Sequence, residues 1–168
     1  MQYRRAKTPG GSYFFTVVTH ERHPWLADPD VARTLGEVMR RVRGERPFET
    51  LAMVLMPDHL HCIWRLPSDD ADFSTRWLLI KQFMTHRLSG RMNRRPLWQA
   101  RFWEHCLRDD RDVAQHTDYI HFNPVKHGLV QQVSQWPYST FHRHVKEGVY
   151  PLDWGHAITA ASLPSIGE

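Results

Sequence analysis

Met56-Pro57-Asp58-His59-Leu60-His61-Cys62-Ile63-Trp64 is an apolar, strand-like run with two histidines one residue apart. Strand side chains alternate between faces, so His59 and His61 point one way while Leu60, Cys62 and Trp64 point the other. Residues i and i+2 on one strand face lie about 7 Å apart, close enough for two imidazoles to converge on one metal ion. Taken alone, a His-x-His pair reads equally well as a strand carrying two histidines on its solvent face. A second segment changes that balance: Asp118-Tyr119-Ile120-His121-Phe122-Asn123-Pro124-Val125-Lys126-His127-Gly128.

Around the histidine strand the chain alternates between strand and helix patterns. Ser12 to His20 is aromatic and β-branched after a Pro-Gly-Gly turn, which predicts a first strand. Asp28 or Asp30 caps a helix to about Arg43, with Val31, Leu35, Val38 and Val42 at helical spacing. Phe48 to Met56 predicts a second, central strand, and the Pro57-Asp58 break turns the chain into a third, His59 to Leu66. Ser74 caps a second helix to about Met92, and a fourth strand falls within Leu97 to Leu107. Asp109 or Asp110 then begins the helix that carries Tyr119.

The order strand, helix, strand, strand, helix, strand predicts an α+β, ferredoxin-like fold: an antiparallel sheet with helices on one face and the other face open. Leu60, Cys62, Trp64 and Leu66 should lie beneath the helices, leaving His59 and His61 on the open side. On the tyrosine helix, Val113, Thr117 and Ile120 form an inward stripe. Asp112, Gln115, His116, Tyr119 and Asn123 form a polar one. Because Asn123 precedes a proline, the helix is expected to end near Phe122, with Tyr119 in its last turn at the edge of the packed face.

Composition sets the frame. The 168 residues fit one domain with a real core, expected over residues 1–160, with 161–168 as a flexible tail. The stretch from Trp136 through Trp154 is too aromatic to be disordered and should pack on the domain. A formal charge of +4, with twelve histidines and many aromatics, suits a nucleic-acid partner. Cys62 and Cys106 lie in apolar runs and read as reduced thiols. With no signal-like start and no run long enough to cross a bilayer, a cytoplasmic, nucleoid-associated protein is expected. Arg4, Arg5 and Lys7 precede the Pro9-Gly10-Gly11 turn, and Arg91, Arg94 and Arg95 follow the second helix beside Trp98. Guanidinium groups for phosphates beside rings for bases suit single strands and hairpin tips.

Several motifs in order carry a resemblance. They are Tyr3-Arg4-Arg5 and Pro9 to Thr16, the Met56 to His61 run, Phe102-Trp103-Glu104-His105, and the Tyr119 segment. Over about 120 residues the chain resembles the HUH single-strand transposases that use one catalytic tyrosine, and most closely their REP-associated branch. The resemblance implies an HUH endonuclease fold and a metal-dependent endonuclease and strand transferase acting on hairpin single-stranded DNA. Tyr119 would be the nucleophile, forming a 5′-phosphotyrosine link, and His59 and His61 would hold Mg2+ or Mn2+. A phenol with a pKa near 10 needs such assistance at neutral pH. In similar transposases a polar side chain one turn beyond the tyrosine completes the metal site; Asn123 stands at that offset, where better-known relatives have Gln. Glu104, His105 and His121 are rivals for that place, with Glu104 and His105 otherwise expected to face DNA; Cys62 is on the wrong strand face. A histidine-triad hydrolase would need a third histidine where Ile63 stands. A silent, domesticated hairpin-binding domain is the remaining alternative. The short Leu107 to Asp110 connection, like the REP-associated branch itself, favours a monomer whose tyrosine acts in its own subunit, with a dimer left open.

Overall fold

A computed structural model describes residues 7–93 and 96–166. The elements run β1 (Ser12–Val18), α1 (Pro29–Glu45), β2 (Glu49–Leu55), β3 (His59–Arg65), α2 (Phe73–Leu88), β4 (Trp103–Cys106), α3 (Asp110–Lys126) and a short α4 (Phe141–Lys146). The strands form one antiparallel sheet in the order β2-β3-β1-β4. This is the expected ferredoxin-like topology. Among the described residues no helix is long and apolar enough to cross a membrane.

Strand alternation divides the sheet cleanly. Tyr13, Phe15, Val17, Leu60, Cys62 and Trp64 face α1 and α2 and form the larger core with Leu35, Val38, Trp77 and Ile80. Trp64 stacks on Trp77 with centroids 4.3 Å apart. The opposite face is not open, contrary to the sequence expectation. α3 lies across it, closing Phe14, Val54, Ile63, Tyr119 and Ile120 into a second cluster. The β-α-β-β-α-β pattern accounts for two helices only; a third amphipathic helix must bury its apolar stripe somewhere, and the remaining apolar sheet face is the available surface.

Helix ends explain two further departures. Asp72, not Ser74, caps α2 by accepting the Thr75 N–H, and the helix stops at Leu88. α3 runs through Pro124 to Lys126 instead of ending at Phe122. Proline removes one N–H from the helical ladder. Burial of Phe122 against Val133, Phe141 and Tyr150 holds the turn helical nonetheless. The stop is Gly128, at φ 72°. Its N–H reaches Val125 O and the Leu129 N–H reaches Pro124 O, the bond pair that closes a helix on a left-handed glycine.

The C-terminal segment packs on the domain. β2 is an edge strand and not the central one expected; residues 138–140 cover its outer edge, where Leu55 N–H bonds Tyr138 O at 2.8 Å and Thr140 N–H bonds Met53 O at 2.9 Å. Trp136 Nε1 donates to Leu55 O at 2.8 Å. In the expected flexible tail, Leu163 packs on the Phe122 cluster and Ile166 on the cluster around Phe14 and Tyr119.

Candidate active site

β3 turns His59 and His61 toward α3, where they are 3% and 0% exposed. Their ring centroids lie 4.7 Å apart, closer than strand spacing alone gives. His59 Nδ1 is 2.7 Å from Asp58 Oδ1. An ionised carboxylate only accepts, so Nδ1 donates and the neutral ring carries its lone pair on Nε2. His61 Nδ1 lies 2.9 Å from Thr16 Oγ1, which can accept in the same way. Nε2 is therefore the nitrogen each ring can offer a cation. Asp58 is itself held: Arg22 donates to Oδ2 at 3.2 Å, and Thr19 donates to its carbonyl through both N–H and Oγ1. Burial pushes the Asp58 carboxyl up, but the bonds to His59 and Arg22 outweigh it and hold the group below the ordinary carboxylate range.

On α3, Tyr119, Asn123 and His127 follow at four-residue intervals and so share one stripe. The Tyr119 ring is 5.5 Å from His61 and the His127 ring 5.5 Å from His59. Asn123 lies between them on that stripe. It is fully buried, and neither polar atom of its side chain has a hydrogen-bond partner among the described residues. A buried amide left so costs about 1–3 kcal/mol. A cation accepting its Oδ1 as ligand would offset that cost, so the residues present fit a site of two imidazoles and one amide oxygen. Lys126 closes the other side, with Nζ 3.3 Å from the Tyr119 hydroxyl and 4.8 Å from its ring centroid. Phe14 forms the floor, stacked on His61 at 5.3 Å and edge-on to Tyr119 at 6.2 Å. Tyr119 does not project from the edge as expected: it is 1% exposed.

The IS200-like transposase family model matches residues 8–122. A REP-associated tyrosine transposase of Escherichia coli K12 is 48% identical over 158 residues, 94% of this chain and 93% of that protein. The chain belongs to the REP-associated tyrosine transposases. A Haemophilus influenzae relative named for the same group is 43% identical over 164 residues, 91% of this chain and 92% of its own length. A solved REP-associated tyrosine transposase, bound to a REP hairpin, superposes with a TM-score of 0.86 at 44% identity, covering 100% of this chain and 99% of that one.

In this transposase one chain brings together Tyr119, His59, His61 and Asn123. The other expected residues scatter. Glu104 pairs with Phe15, on the face opposite the histidines, and is 4% exposed. His121 projects to the far side of α3, where its Nε2 meets Thr140 Oγ1 at 2.8 Å and burial drives its pKa to about 3. His105 shares the Phe14 face but pairs with Asp112 and His116. Trp98 is no surface platform: it is 6% exposed and packs edge-on against Trp25 in the core. Arg91 is half exposed and faces Asp28 and Asp30, both at 3.7 Å, and Lys7 is exposed. Arg4, Arg5, Arg94 and Arg95 lie outside the described residues. Sequence reasoning missed Lys126 and His127. Gly128 was the available signal, since a helix running to it places Lys126 beside the tyrosine and His127 beside His59.

Asp58 gives a direct test. Asp58→Asn keeps the shape but weakens the hold on the His59 tautomer. The metal concentration for half-maximal cleavage should rise about 10- to 100-fold with little loss of folded stability. An unchanged titration would remove Asp58 from the site.

Proposed function

We propose that this transposase is a metal-dependent single-stranded DNA endonuclease and strand transferase that acts on REP-like hairpins through a 5′-phosphotyrosine intermediate. The observation that carries this reading is the Tyr119 ring 5.5 Å from His61 within one chain. The Tyr119 oxygen attacks the scissile phosphorus and its proton leaves to solvent, while the bond to the 3′-oxygen of the upstream nucleotide breaks and that oxygen takes up a proton from solvent as the free 3′-hydroxyl. One phosphodiester replaces another, so the bond energy is retained and a 3′-hydroxyl can reverse the step without ATP. Lys126 Nζ, already 3.3 Å from the phenol oxygen, stabilises negative charge as it develops there. A divalent cation, Mg2+ or Mn2+, held by His59, His61 and Asn123 would supply Lewis-acid polarisation of the phosphate.

The DNA path is argued from chemistry beside the site. A groove of about 370 Å3 runs along the β1–β4 side, lined by Thr16, Val18, Arg22, Arg101 and the partly exposed ring of Trp103. Cations for phosphates and an aromatic face for a base suit an unpaired strand. The similar structure with a REP hairpin supports extending that substrate to this chain. The covered phenol favours, as a second reading, a hairpin-binding protein without turnover.

Competition between a hairpin and a duplex of the same stem sequence tests the substrate. The hairpin should bind at least about tenfold tighter, with affinity falling as salt rises. Equal or tighter duplex binding would point to a groove-reading protein. A covalent adduct on the hairpin separates the enzyme from the silent binder.

A further inference from the structure

We propose a second metal site, for a divalent transition-metal ion of the Zn2+ class, built from His105, Asp112 and His116. Asp112 and His116 stand four residues apart at the start of α3 and so project on one side of the helix. β4 brings His105 to the same place from the sheet edge. One donor atom from each residue lies within 4.8 Å of the other two.

The distances are close to those an ion would set. Ligands about 2.0–2.1 Å from a tetrahedral ion sit roughly 3.3 Å from one another. His116 Nδ1 is 3.2 Å from Asp112 Oδ1, and His105 Nε2 is 3.7 Å from Asp112 Oδ2. The two rings are stacked at 5.4 Å and 19°, and a nitrogen lone pair lies in its ring plane, so His105 has to rotate as well as approach before both imidazoles and one carboxylate oxygen point at a common ion. His105 can supply that movement, because its side chain is 39% exposed while Asp112 and His116 are buried. Two imidazoles and a carboxylate match the borderline character of such ions, and three protein ligands leave one position toward solvent.

The present partners of these groups are all replaceable. His116 Nδ1 donates to the Asp112 carbonyl at 2.8 Å; the ion takes the place of that proton, and the neutral ring carries its proton on Nε2 instead. Arg108 touches Asp112 Oδ2 through a side chain that is 80% exposed and can swing away. The Arg108 N–H bond to Oδ2, at 3.0 Å, leaves Oδ1 for the ion.

This site is separate from the His59–His61 pair. The Phe14 ring stands between them, 5.3 Å from His61 and 5.2 Å from His116. An ion here ties β4 to α3 three residues before Tyr119, and so fixes the helix on which the nucleophile rides. Its existence does not depend on the phosphotyrosine chemistry.

Native mass spectrometry of chelator-washed, tag-free protein titrated with Zn2+ tests it. The unaltered chain should carry one more Zn2+ than His105→Ala, or bind that ion at least tenfold more tightly. His105 is half exposed, so its removal leaves the fold intact. Asp112→Asn should lose the same ion, whereas His59→Ala should keep it. Equal Zn2+ uptake by the unaltered and His105→Ala chains overturns the proposal, whatever the His59–His61 site does.

Discussion

A Tyr119→Phe chain is expected to bind hairpin DNA as the unaltered chain does and to form no covalent adduct with it. The substitution removes one oxygen and leaves a ring that keeps its place against Phe14 and Ile120. The oxygen accepts from the exposed Lys126 Nζ at 3.3 Å, so the change in stability should stay within about 1 kcal/mol. Chemistry should fall by roughly 10^4-fold or more, as for other losses of a nucleophile. Denaturing gels of a 3′-labelled hairpin read the result directly, because the downstream fragment stays on the protein. An undiminished adduct would move the role to another residue, Tyr138 first. Mixing Tyr119→Phe with His59→Ala chains should not restore cleavage. Tyr119 lies over its own chain's His61, and the three residues from β4 to α3 reach only about 10 Å. Recovery in the mixture would show the tyrosine acting across subunits.

Loss of either histidine should be as complete for cleavage but different for folding. His61 is fully buried and packed on Phe14, His59 and Tyr119. His61→Ala leaves a cavity between sheet and helix, and about 2–4 kcal/mol of stability should go with it. His59 lies at the strand end beside the exposed His127, so His59→Ala should cost less and gives the cleaner test. Thermal melts run with the cleavage assay separate unfolding from lost chemistry. Excess chelator should silence the unaltered chain, and Mn2+ should restore it at lower concentration than Mg2+, since nitrogen ligands favour the softer ion. Full cleavage in chelator would exclude a metal mechanism.

Much of this site was legible because alternation and helical spacing are geometric facts of the chain. His59 and His61 had to share a strand face, and Tyr119 and Asn123 a helix stripe, whatever lay around them. What failed was the reading of single residues whose meaning depends on neighbours. Pro124 looked like a stop, but packing of Phe122 and the closure at Gly128 carried the helix past it and brought Lys126 to the tyrosine and His127 to His59. Trp98 beside arginines looks the same in sequence as a base platform and as a core residue; only burial distinguishes them. The second sheet face was expected open because the topology pattern does not say where a third helix docks.

The sealing of β2 by residues 138–140 has a consequence in time. Met53 and Thr140, which bond across that edge, are 87 residues apart. During synthesis the strand is made long before its cover, so a nascent chain carries an open sheet margin until the cover emerges. Unpaired strand edges are templates for a neighbour's strand. A ribosome that stalls just short of residue 138 holds a nearly complete domain with one sticky side. Once the cover is in place, a second copy can no longer add its strand there. The aromatic segment after the tyrosine helix thus acts as the molecule's protection against itself.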